Sequence, residues 1–283
     1  MKPAPFEYVA PRSLEEALDA LTEGGEDAKP IAGGQSLVPA LNMRLVRPTL
    51  LVDLNRAGLD GIERGSGALR VGATVRQRML ERDERTHPLV LEALPHVGHV
   101  VTRNRGTIGG SIAHADGAAE LPVCLAALRG TIVVAGRDGR REVDPADFFV
   151  THYLTTLQPG EVVVETVWPD ASAAQGSAFE ELALRAGDYA LSMIAVVLHH
   201  VDGVARDVCV VAGAVTDRPL PLAEAAAALE GIEVTAAAAR AAGEAAAAAI
   251  DPVGSIHAGP AYLRRLTATL VERAALRAWE AAA

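Results

Sequence analysis

Two short glycine-containing segments carry the residue types best suited to binding a charged ligand. Residues 29–36 read KPIAGGQS and residues 105–111 read RGTIGGS. Glycine has no Cβ, so its backbone reaches φ > 0 and lets main-chain N–H groups converge on a ligand. Converging N–H groups form an anion-binding concavity, and a helix starting there adds its positive dipole end. One such turn is usually an ordinary connection, but two of them indicate a ligand with two phosphates, that is, a dinucleotide.

The first segment offers both backbone and side-chain donors. Four backbone N–H groups are expected to meet the diphosphate, those of Gly33, Gly34, Gln35 and Ser36. The side chains of Gln35 and Ser36 would add hydrogen bonds, and Lys29 and Pro30 would shape the approach. An ordinary strand-to-helix turn is the alternative interpretation.

Hydrophobic periodicity predicts the elements that position the first segment. Ser13 begins the capping box SLEE, which is followed by apolar residues at helical spacing. Ser36 is predicted to cap a second, short helix. Strands are predicted at residues 6–9, 29–31 and 49–54. The result is a β-α-β-α-β unit with the first Gly segment at its strand-to-helix switch, where α/β folds usually bind ligands.

A second unit follows from residue 69. Thr74 is predicted to cap a helix, Asp138-Gly139 is a hairpin signal, and residues 161–167 form a β-branched strand. The small, polar and patternless residues 170–176 are the best boundary in the chain. The predicted domains are residues 1–172, with subdomains of about 1–56 and 57–172, and residues 173–283.

The region beyond the boundary contains strands and then helices. Three apolar runs predict a small antiparallel sheet, with Asp202-Gly203 as a hairpin turn. Alanine-rich helix is predicted over residues 223–279, with an interruption at residues 252–259.

Composition excludes several classes of protein. Half of the 283 residues are apolar, enough for a sizeable core, and the net charge of −10 argues against a nucleic-acid partner. Cys124 and Cys209 are too few for an iron–sulfur cluster or a structural zinc site, so any metal centres are expected on other chains. Both thiols are expected to be buried. The start does not resemble a signal peptide and no apolar run matches a membrane span, so we expect a soluble, cytoplasmic protein.

Three motifs together carry a family resemblance: AGGQS at 32–36, RNRGTIGGSIAHAD at 103–116 and ELP at 120–122. They resemble the FAD-binding medium subunit of the molybdenum hydroxylases, a group that includes the carbon monoxide dehydrogenase medium chain and the flavin domain of xanthine dehydrogenase. The resemblance implies an α+β fold. It comprises a vanillyl-alcohol-oxidase-like (PCMH-type) FAD-binding domain of two α/β subdomains and a small C-terminal domain of antiparallel sheet and helices. Residues 185–190 (RAGDYA) are similar to the signature that opens the C-terminal domain.

The resemblance also implies the residues that contact FAD. In the two Gly segments these are Lys29, Pro30, Ala32, Gly33, Gly34, Gln35, Ser36, Leu37, Thr107, Ile108, Gly109, Gly110 and Ser111. His114, Asp116 and Glu120 are implied near the ribityl chain and the isoalloxazine edge, and Leu157 and Tyr189 near the ring. Structural roles are the alternatives: a helix-start acid for Glu120, a satisfied histidine for His114, and core or interface packing for Leu157 and Tyr189.

Two further expectations concern the surroundings of the cofactor. Residues 32–37 contain neither His nor Cys, and covalent tethering in related flavoenzymes generally uses one of them near this loop, so FAD is expected to be non-covalent. Arg103 and Arg105 flank the second segment and are expected to be solvated. Phosphate pairing and docking of a partner subunit are the alternatives for these two arginines.

The resemblance implies a role in electron transfer. A large subunit would hold the molybdopterin centre, a small subunit would carry two [2Fe–2S] clusters, and the complex would be a dimer of heterotrimers. This chain would take electrons from the nearer cluster into FAD and pass them to a quinone, NAD or oxygen. We therefore predict no general acid, base or nucleophile on this chain.

Two other functions are weighed against this one. In a serine hydrolase, Ser111 in GGSIA would be the nucleophile, with His152, His199 or His200 as the base, but Ala113 stands where the nucleophile elbow has its second glycine. The other alternative is a non-catalytic nucleotide-binding scaffold. Neither GxxxxGK[ST] nor GxGxxG occurs, so signatures for ATP and Rossmann-type NAD binding are missing.

Overall fold

The N-terminal residues build a parallel three-stranded sheet. In the computed structural model, which describes residues 1–282, its strand order is β1-β3-β2. Its elements are β1 (Glu7–Val9), α1 (Leu14–Gly24), β2 (Ala28–Ile31), α2 (Leu37–Asn42) and β3 (Leu50–Asp53). The predicted β-α-β-α-β unit is thus confirmed, and the first Gly segment occupies the connection from β2 to α2.

A five-stranded antiparallel sheet follows, in the order β4-β5-β10-β6-β7. Its strands are β4 (Ile62–Gly65), β5 (Ala68–Gly72), β6 (Thr131–Gly136), β7 (Gly139–Val143) and β10 (Val162–Pro169). Between β5 and β6 lie α3 (Gln77–Leu80), α4 (Pro88–Ala93), α5 (Val100–Arg103), α6 (Ile108–His114) and α7 (Glu120–Ala127). Between β7 and β10 lie α8 (Pro145–Phe148) and the paired strands β8 (Phe149–Thr151) and β9 (Leu154–Thr155).

The last part of the chain forms a four-stranded antiparallel sheet covered by helices. The strands are β11 (Gln175–Ala183), β12 (Ala190–Val201), β13 (Val204–Gly213) and β14 (Leu220–Pro221). The helices are α9 (Ala223–Ala227), α10 (Ala236–Ala249) and α11 (Pro260–Ala282). The alanine-rich region therefore has a second interruption, between α9 and α10, in addition to the predicted one.

Three apolar cores hold these layers together, and strands that are buried on both faces connect the cores. On β12, Met193 belongs to the core that contains α4, α6 and α7, whereas Ile194 belongs to the core under α9–α11. Successive residues of a strand point to opposite faces, which is why β12 reads as a continuous apolar run. On β6, Ile132 and Val133 divide in the same way between the α4/α6/α7 core and the core under α1. Helices α4, α6 and α7 are thus enclosed between the five-stranded and four-stranded sheets.

Several local predictions are confirmed. Ser13 caps α1 by accepting a hydrogen bond from the Glu16 amide at 3.1 Å. The turn between β12 and β13 is Asp202-Gly203, with φ of 51° and 80°. Positive φ at both central positions suits a tight hairpin turn and explains the choice of Asp and Gly.

Two predicted helix caps are wrong. Ser36 holds the N-cap position of α2, but its backbone is helical (φ −98°, ψ −44°), so its hydroxyl accepts no capping bond. A capping side chain needs an extended backbone at this position. Thr74 does not cap because the helix begins later, at Gln77, with Arg76 in the cap position.

Burial of the two thiols differs. Cys124 is fully buried in the core, whereas Cys209 is only partly buried against it. None of the helices built from residues 1–282 combines the length and apolar composition that crossing a bilayer requires.

The packing of α11 on β11 generates a stability prediction. A Cβ added to Gly176 would lie 1.8 Å from the carbonyl oxygen of Ala278, and backbone at that distance must move. We expect Gly176→Ala to lower the free energy of unfolding by about 1–3 kcal/mol, measured by urea denaturation. The matched control is Gly65→Ala, where a Cβ meets no atom of the described chain within 4 Å. Equal stability of the two variants would contradict the assigned packing.

Candidate functional site

The two Gly segments meet at a contact that only glycine permits. A Cβ on Gly33 would lie 2.3 Å from the carbonyl oxygen of Arg105 and 2.9 Å from the Cα of Gly106. Gly34, the next residue, has φ of 72°, which side chains disfavour. The two segments, which the sequence assigns to one ligand, therefore lie side by side. Gly33 is required by the close approach and Gly34 by its positive φ.

The first segment offers a run of unpartnered amides. No oxygen atom of residues 1–282 accepts a hydrogen bond from the backbone N–H of Gly33, Gly34, Gln35 or Ser36. Gln35 turns its side-chain amide back to the Gly33 carbonyl at 3.3 Å, and the Ser36 hydroxyl is free of capping. Consecutive backbone amides left free by the protein on a glycine loop form a concavity that suits an anionic group such as a diphosphate.

The second segment is built differently, and the expectation that its amides face the ligand is wrong. Ile108 and Gly109 donate to the carbonyl oxygens of Val75 and Ala73, both at 3.0 Å, and Gly110 donates to the Thr107 hydroxyl at 3.1 Å. These amides dock α6 onto the end of β5 and cap its first turn. Gly109 is required for this docking because its Cβ would lie 2.4 Å from that of Ala73.

A pair of side chains that sequence reasoning missed ties the two segments together. Asn55 donates to the Ala32 carbonyl at 2.9 Å and accepts from Arg76 at 2.6 Å. Arg76 also donates to the Arg105 carbonyl at 2.7 Å. One signal was available, since Asn55 closely follows the carboxyl end of β3, where ligand-facing polar residues gather in parallel sheets.

Beyond α6 the structure gathers the next group of predicted residues. The rings of His114 and Tyr153 lie 4.9 Å apart, and the Tyr153 hydroxyl donates to Asp116 at 3.3 Å. Burial lowers the pKa of His114, so this histidine is favoured as neutral. Tyr189 is 72% exposed on the connection between β11 and β12. Partial desolvation and the charges of Asp116 and Glu120 raise the pKa of Tyr189.

Glu120 is an acid with an unusual environment. It is 8% exposed at the start of α7, and burial, reinforced by the charge of Glu181, raises its pKa to about 8. Glu181, whose side chain is 2% exposed, comes from β11 and lies 3.6 Å from the Nδ1 atom of His96. A protonated Glu120 can donate as well as accept a hydrogen bond at neutral pH, which a helix-start carboxylate cannot.

The other predicted site residues are dispersed around this centre. Lys29 and Pro30 are exposed on β2, and Leu37 is half-buried at the start of α2. Leu157 is half-buried against the core around α4, α6 and α7. Contact of these residues with a ligand therefore stays a prediction.

The expectation that Arg103 is solvated is wrong. Arg103 is 5% exposed, pairs with Glu81 at 3.0 Å and donates to the carbonyls of Val97 and Gly98. Buried carbonyls of the turn before α5 need donors, and a planar guanidinium supplies several at once. Arg105, by contrast, is exposed as expected.

The serine hydrolase alternative lacks its structural context. Ser111 lies inside α6 rather than on a strand-to-helix turn, where a nucleophile elbow would place it. His200 packs on Trp279 in the C-terminal layer, with ring centroids 4.3 Å apart. The Nδ1 atom of His152 accepts from the Gly117 amide at 3.3 Å.

This combination of a glycine loop with free amides and two mixed α/β layers is typical of proteins that bind a nucleotide cofactor. Residues 4–171 match the family "FAD binding domain in molybdopterin dehydrogenase", and residues 177–278 match "CO dehydrogenase flavoprotein C-terminal domain". The 6-hydroxypseudooxynicotine dehydrogenase complex subunit alpha of Paenarthrobacter nicotinovorans is 39% identical, over 98% of this chain and 96% of that protein. The carbon monoxide dehydrogenase medium chain of Hydrogenophaga pseudoflava is 34% identical over 99% of both chains.

Solved structures agree. A chain of the carbon monoxide dehydrogenase from Hydrogenophaga pseudoflava superposes with a TM-score of 0.97 at 35% identity and full coverage of both chains. A chain of quinoline 2-oxidoreductase from Pseudomonas putida 86 gives a TM-score of 0.95 at 38% identity, covering 100% of this chain and 99% of that one.

The chain therefore belongs to the FAD-binding medium subunits of the molybdenum hydroxylase family. It is an oxidoreductase flavoprotein subunit, with FAD as its cofactor and an FAD-binding domain followed by a C-terminal domain. The α+β fold class and the family resemblance of its sequence are confirmed.

The contact at Gly33 predicts a specific loss of cofactor. Because its Cβ would collide with backbone of the second segment, Gly33→Val should separate the segments and abolish FAD retention while leaving a folded chain. Gly110→Val should act similarly, since its Cβ would lie 2.5 Å from the Thr107 hydroxyl that caps α6. Flavin absorbance per chain measures the effect, with circular dichroism as the test of folding. Gly61→Ala, whose Cβ meets only the end of Glu63 at 4.0 Å, is the control. Stoichiometric FAD in both valine variants would refute the loop assignment.

The environment of Glu120 predicts a pH-dependent stability. The pKa of Glu120 is about 8 in the folded protein, whereas the ordinary pKa of a glutamate is 4.5. The folded protein therefore keeps the proton of Glu120 up to about pH 8. The folded state then binds more protons in this window, so its free energy of unfolding falls as pH rises. Glu120→Gln cannot titrate and should gain stability relative to the wild type from pH 5 to pH 8, by up to ~1.4 kcal/mol per pH unit. Urea denaturation of the FAD-free protein measures this, and Glu120→Asp should retain the dependence. A constant difference across the range would show that Glu120 does not titrate there.

Proposed function

We propose that this chain takes electrons from [2Fe–2S] clusters of a partner subunit into FAD and passes them to an external acceptor. The observation that carries the proposal is the unpaired amide run of residues 33–36. It is set on a fold shared along its full length with a chain of carbon monoxide dehydrogenase, whose medium chain is also a sequence relative. Relatives named as a medium subunit and as a subunit of a dehydrogenase complex support the presence of partner chains. The partners would be a small iron–sulfur subunit and a large molybdopterin subunit, assembled as a dimer of heterotrimers.

The residues of this chain bind and orient the cofactor. The amides of Gly33, Gly34, Gln35 and Ser36 would hold the diphosphate. The second segment would support them through backbone packing, with Ser111 as its free hydroxyl. Non-covalent binding fits this arrangement, because residues 32–37 contain no His or Cys.

The cluster beyond α6 would surround the rest of the cofactor. Asp116 and a neutral His114 would contact the ribityl chain, and Glu120, carrying its proton, would offer a donor to the ring. Tyr189, exposed at the surface, would cover the ring and control access to it. When bound, FAD would supply the redox chemistry, while the residues of this chain would supply its position and electrostatic environment.

The domain limits follow the sheets. We place the FAD-binding domain at residues 1–172, with subdomains of about 1–56 and 57–172, and the C-terminal domain at residues 173–283. The break falls in the connection between β10 and β11, and the two matched families end and begin on either side of it.

The proposal predicts reduction of the flavin through the partner. The holoprotein should be assembled with a cysteine-rich iron–sulfur chain and a molybdopterin chain encoded beside it, and substrate added without oxygen. We expect the visible absorption of the oxidised flavin to bleach after the clusters are reduced, and to recover on adding a quinone, NAD or oxygen. The isolated holoprotein, mixed with the same substrate, is the control and should stay yellow. Reduced clusters beside a flavin that stays oxidised would instead favour the scaffold interpretation.

A further inference from the structure

Asn55 and Arg76 form a hydrogen-bonded bridge between the two Gly segments, here called the loop bridge. The Asn55 amide nitrogen donates to the Ala32 carbonyl, which directly precedes the glycine pair. The Asn55 carbonyl accepts from one terminal nitrogen of Arg76 at 2.6 Å. The other terminal nitrogen of Arg76 donates at 2.7 Å to the Arg105 carbonyl. That carbonyl is the atom that a Cβ on Gly33 would strike.

Hydrogen bonds from neighbouring groups hold both residues of the loop bridge in place. Asp53, at the end of β3, accepts from the backbone amide of Asn55 at 2.9 Å and from its side chain at 2.5 Å, which fixes the orientation of the asparagine. The Tyr8 hydroxyl donates to the other oxygen of Asp53. On the opposite side, the Gln77 amide donates to the Gly106 carbonyl at 2.9 Å. The backbone next to Arg76 is therefore already hydrogen-bonded to the second segment.

The charge of Arg76 is not matched by a direct carboxylate contact. Both of its described hydrogen bonds go to neutral oxygens, and Asp53 acts only from behind Asn55. Burial, together with the nearby charge of Arg105, lowers the pKa of Arg76, as expected for a cation whose environment supplies too little negative charge. An anion at residues 33–36 would supply the missing charge.

We propose that Asn55 and Arg76 are positioning residues for the diphosphate of FAD, which fix the carbonyls of Ala32 and Arg105 so that the amides of residues 33–36 keep one arrangement. Arg76 also adds a positive charge beside that run of amides. The inference rests on the proposed assignment of the diphosphate to this loop, and it goes further by naming residues outside both Gly segments. A loop that is already ordered loses less conformational freedom when FAD binds, so it binds FAD more tightly.

The test measures FAD release and ADP competition on the full-length holoprotein. Arg76→Met removes the charge and both hydrogen bonds, and Asn55→Ala removes the link to Ala32. Each should speed FAD release by about tenfold or more, the effect of losing hydrogen bonds to a charged group. Arg76→Lys keeps the charge but has one head group for two acceptors, so an intermediate rate is expected. The double variant should fall well short of the product of the single effects, because both residues act through one bridge.

Controls separate positioning from general stability. Arg82→Gln removes one exposed arginine charge from the same domain, and its release rate should stay within about twofold of the wild type. The inhibition constant of ADP should weaken in Arg76→Met by a factor similar to that of FAD, whereas the reduction potential of the bound flavin should not change. A purely structural role would lower the melting temperature of the FAD-free protein and leave the affinity for ADP unchanged.

The outcomes are distinguishable. Release rates of Arg76→Met and Asn55→Ala within about twofold of the wild type would overturn the inference, as would faster FAD release with unchanged ADP affinity. A wild-type chain that binds FAD but not ADP would refute the loop assignment on which the inference rests. A holoprotein that its partner chain fails to reduce would contradict the proposed electron transfer alone and leave the loop bridge standing.

Discussion

The contact between the Gly33 backbone and the Arg105 carbonyl is the constraint on which the site depends. Two segments far apart in sequence approach so closely that no side chain fits between them. One segment is the exit of a parallel strand, and the other begins after the short helix α5 and continues into the first half of α6. Their meeting requires the α1 core, in which the three-stranded sheet packs against residues of β6 and β10. If that core shifts, the two segments separate and the site opens, with only the Asn55–Arg76 bridge, among the residues that the structure describes, linking them through side chains.

The two Gly segments have similar sequences but do different physical work. The first leaves its amides unpaired and so is suited to hold an anion. The second uses its amides to dock α6 on β5, so that its glycines serve close packing. Because the second segment is fixed by these hydrogen bonds, the first segment packs against backbone that is held in one position. A protein whose chemistry belongs to its cofactor gains most from such fixed positions, because orientation and electrostatics are what it contributes.

The layer of helices α4, α6 and α7 links the cofactor site to the C-terminal domain. These helices share one apolar core with strands of both large sheets. At their edge, Glu120 of α7 faces Glu181 of β11, and the connection after β11 carries Tyr189. Gly187 in that connection lies against His99, where a Cβ would come within 2.6 Å of the imidazole. The C-terminal domain thus contributes an acid and an aromatic residue to the same region, and the charge of Glu181 adds to the burial that raises the pKa of Glu120.

The sequence by itself determined whatever depends on neighbours along the chain. The capping box at Ser13, the Asp202-Gly203 turn and the strand-to-helix position of the first Gly segment are local, since backbone preference and short-range hydrogen bonds decide them. The three motifs at residues 32–36, 103–116 and 120–122 together indicated the family. Only the tertiary structure decided which amides stay free, because folding brings the carbonyls of Ala73 and Val75, which follow β5, to the amides of Gly109 and Ile108. It also decided the burial of Arg103, the raised pKa of Glu120 and the bridge through Asn55 and Arg76. Each of these depends on groups that only folding brings together, and on the water that folding removes.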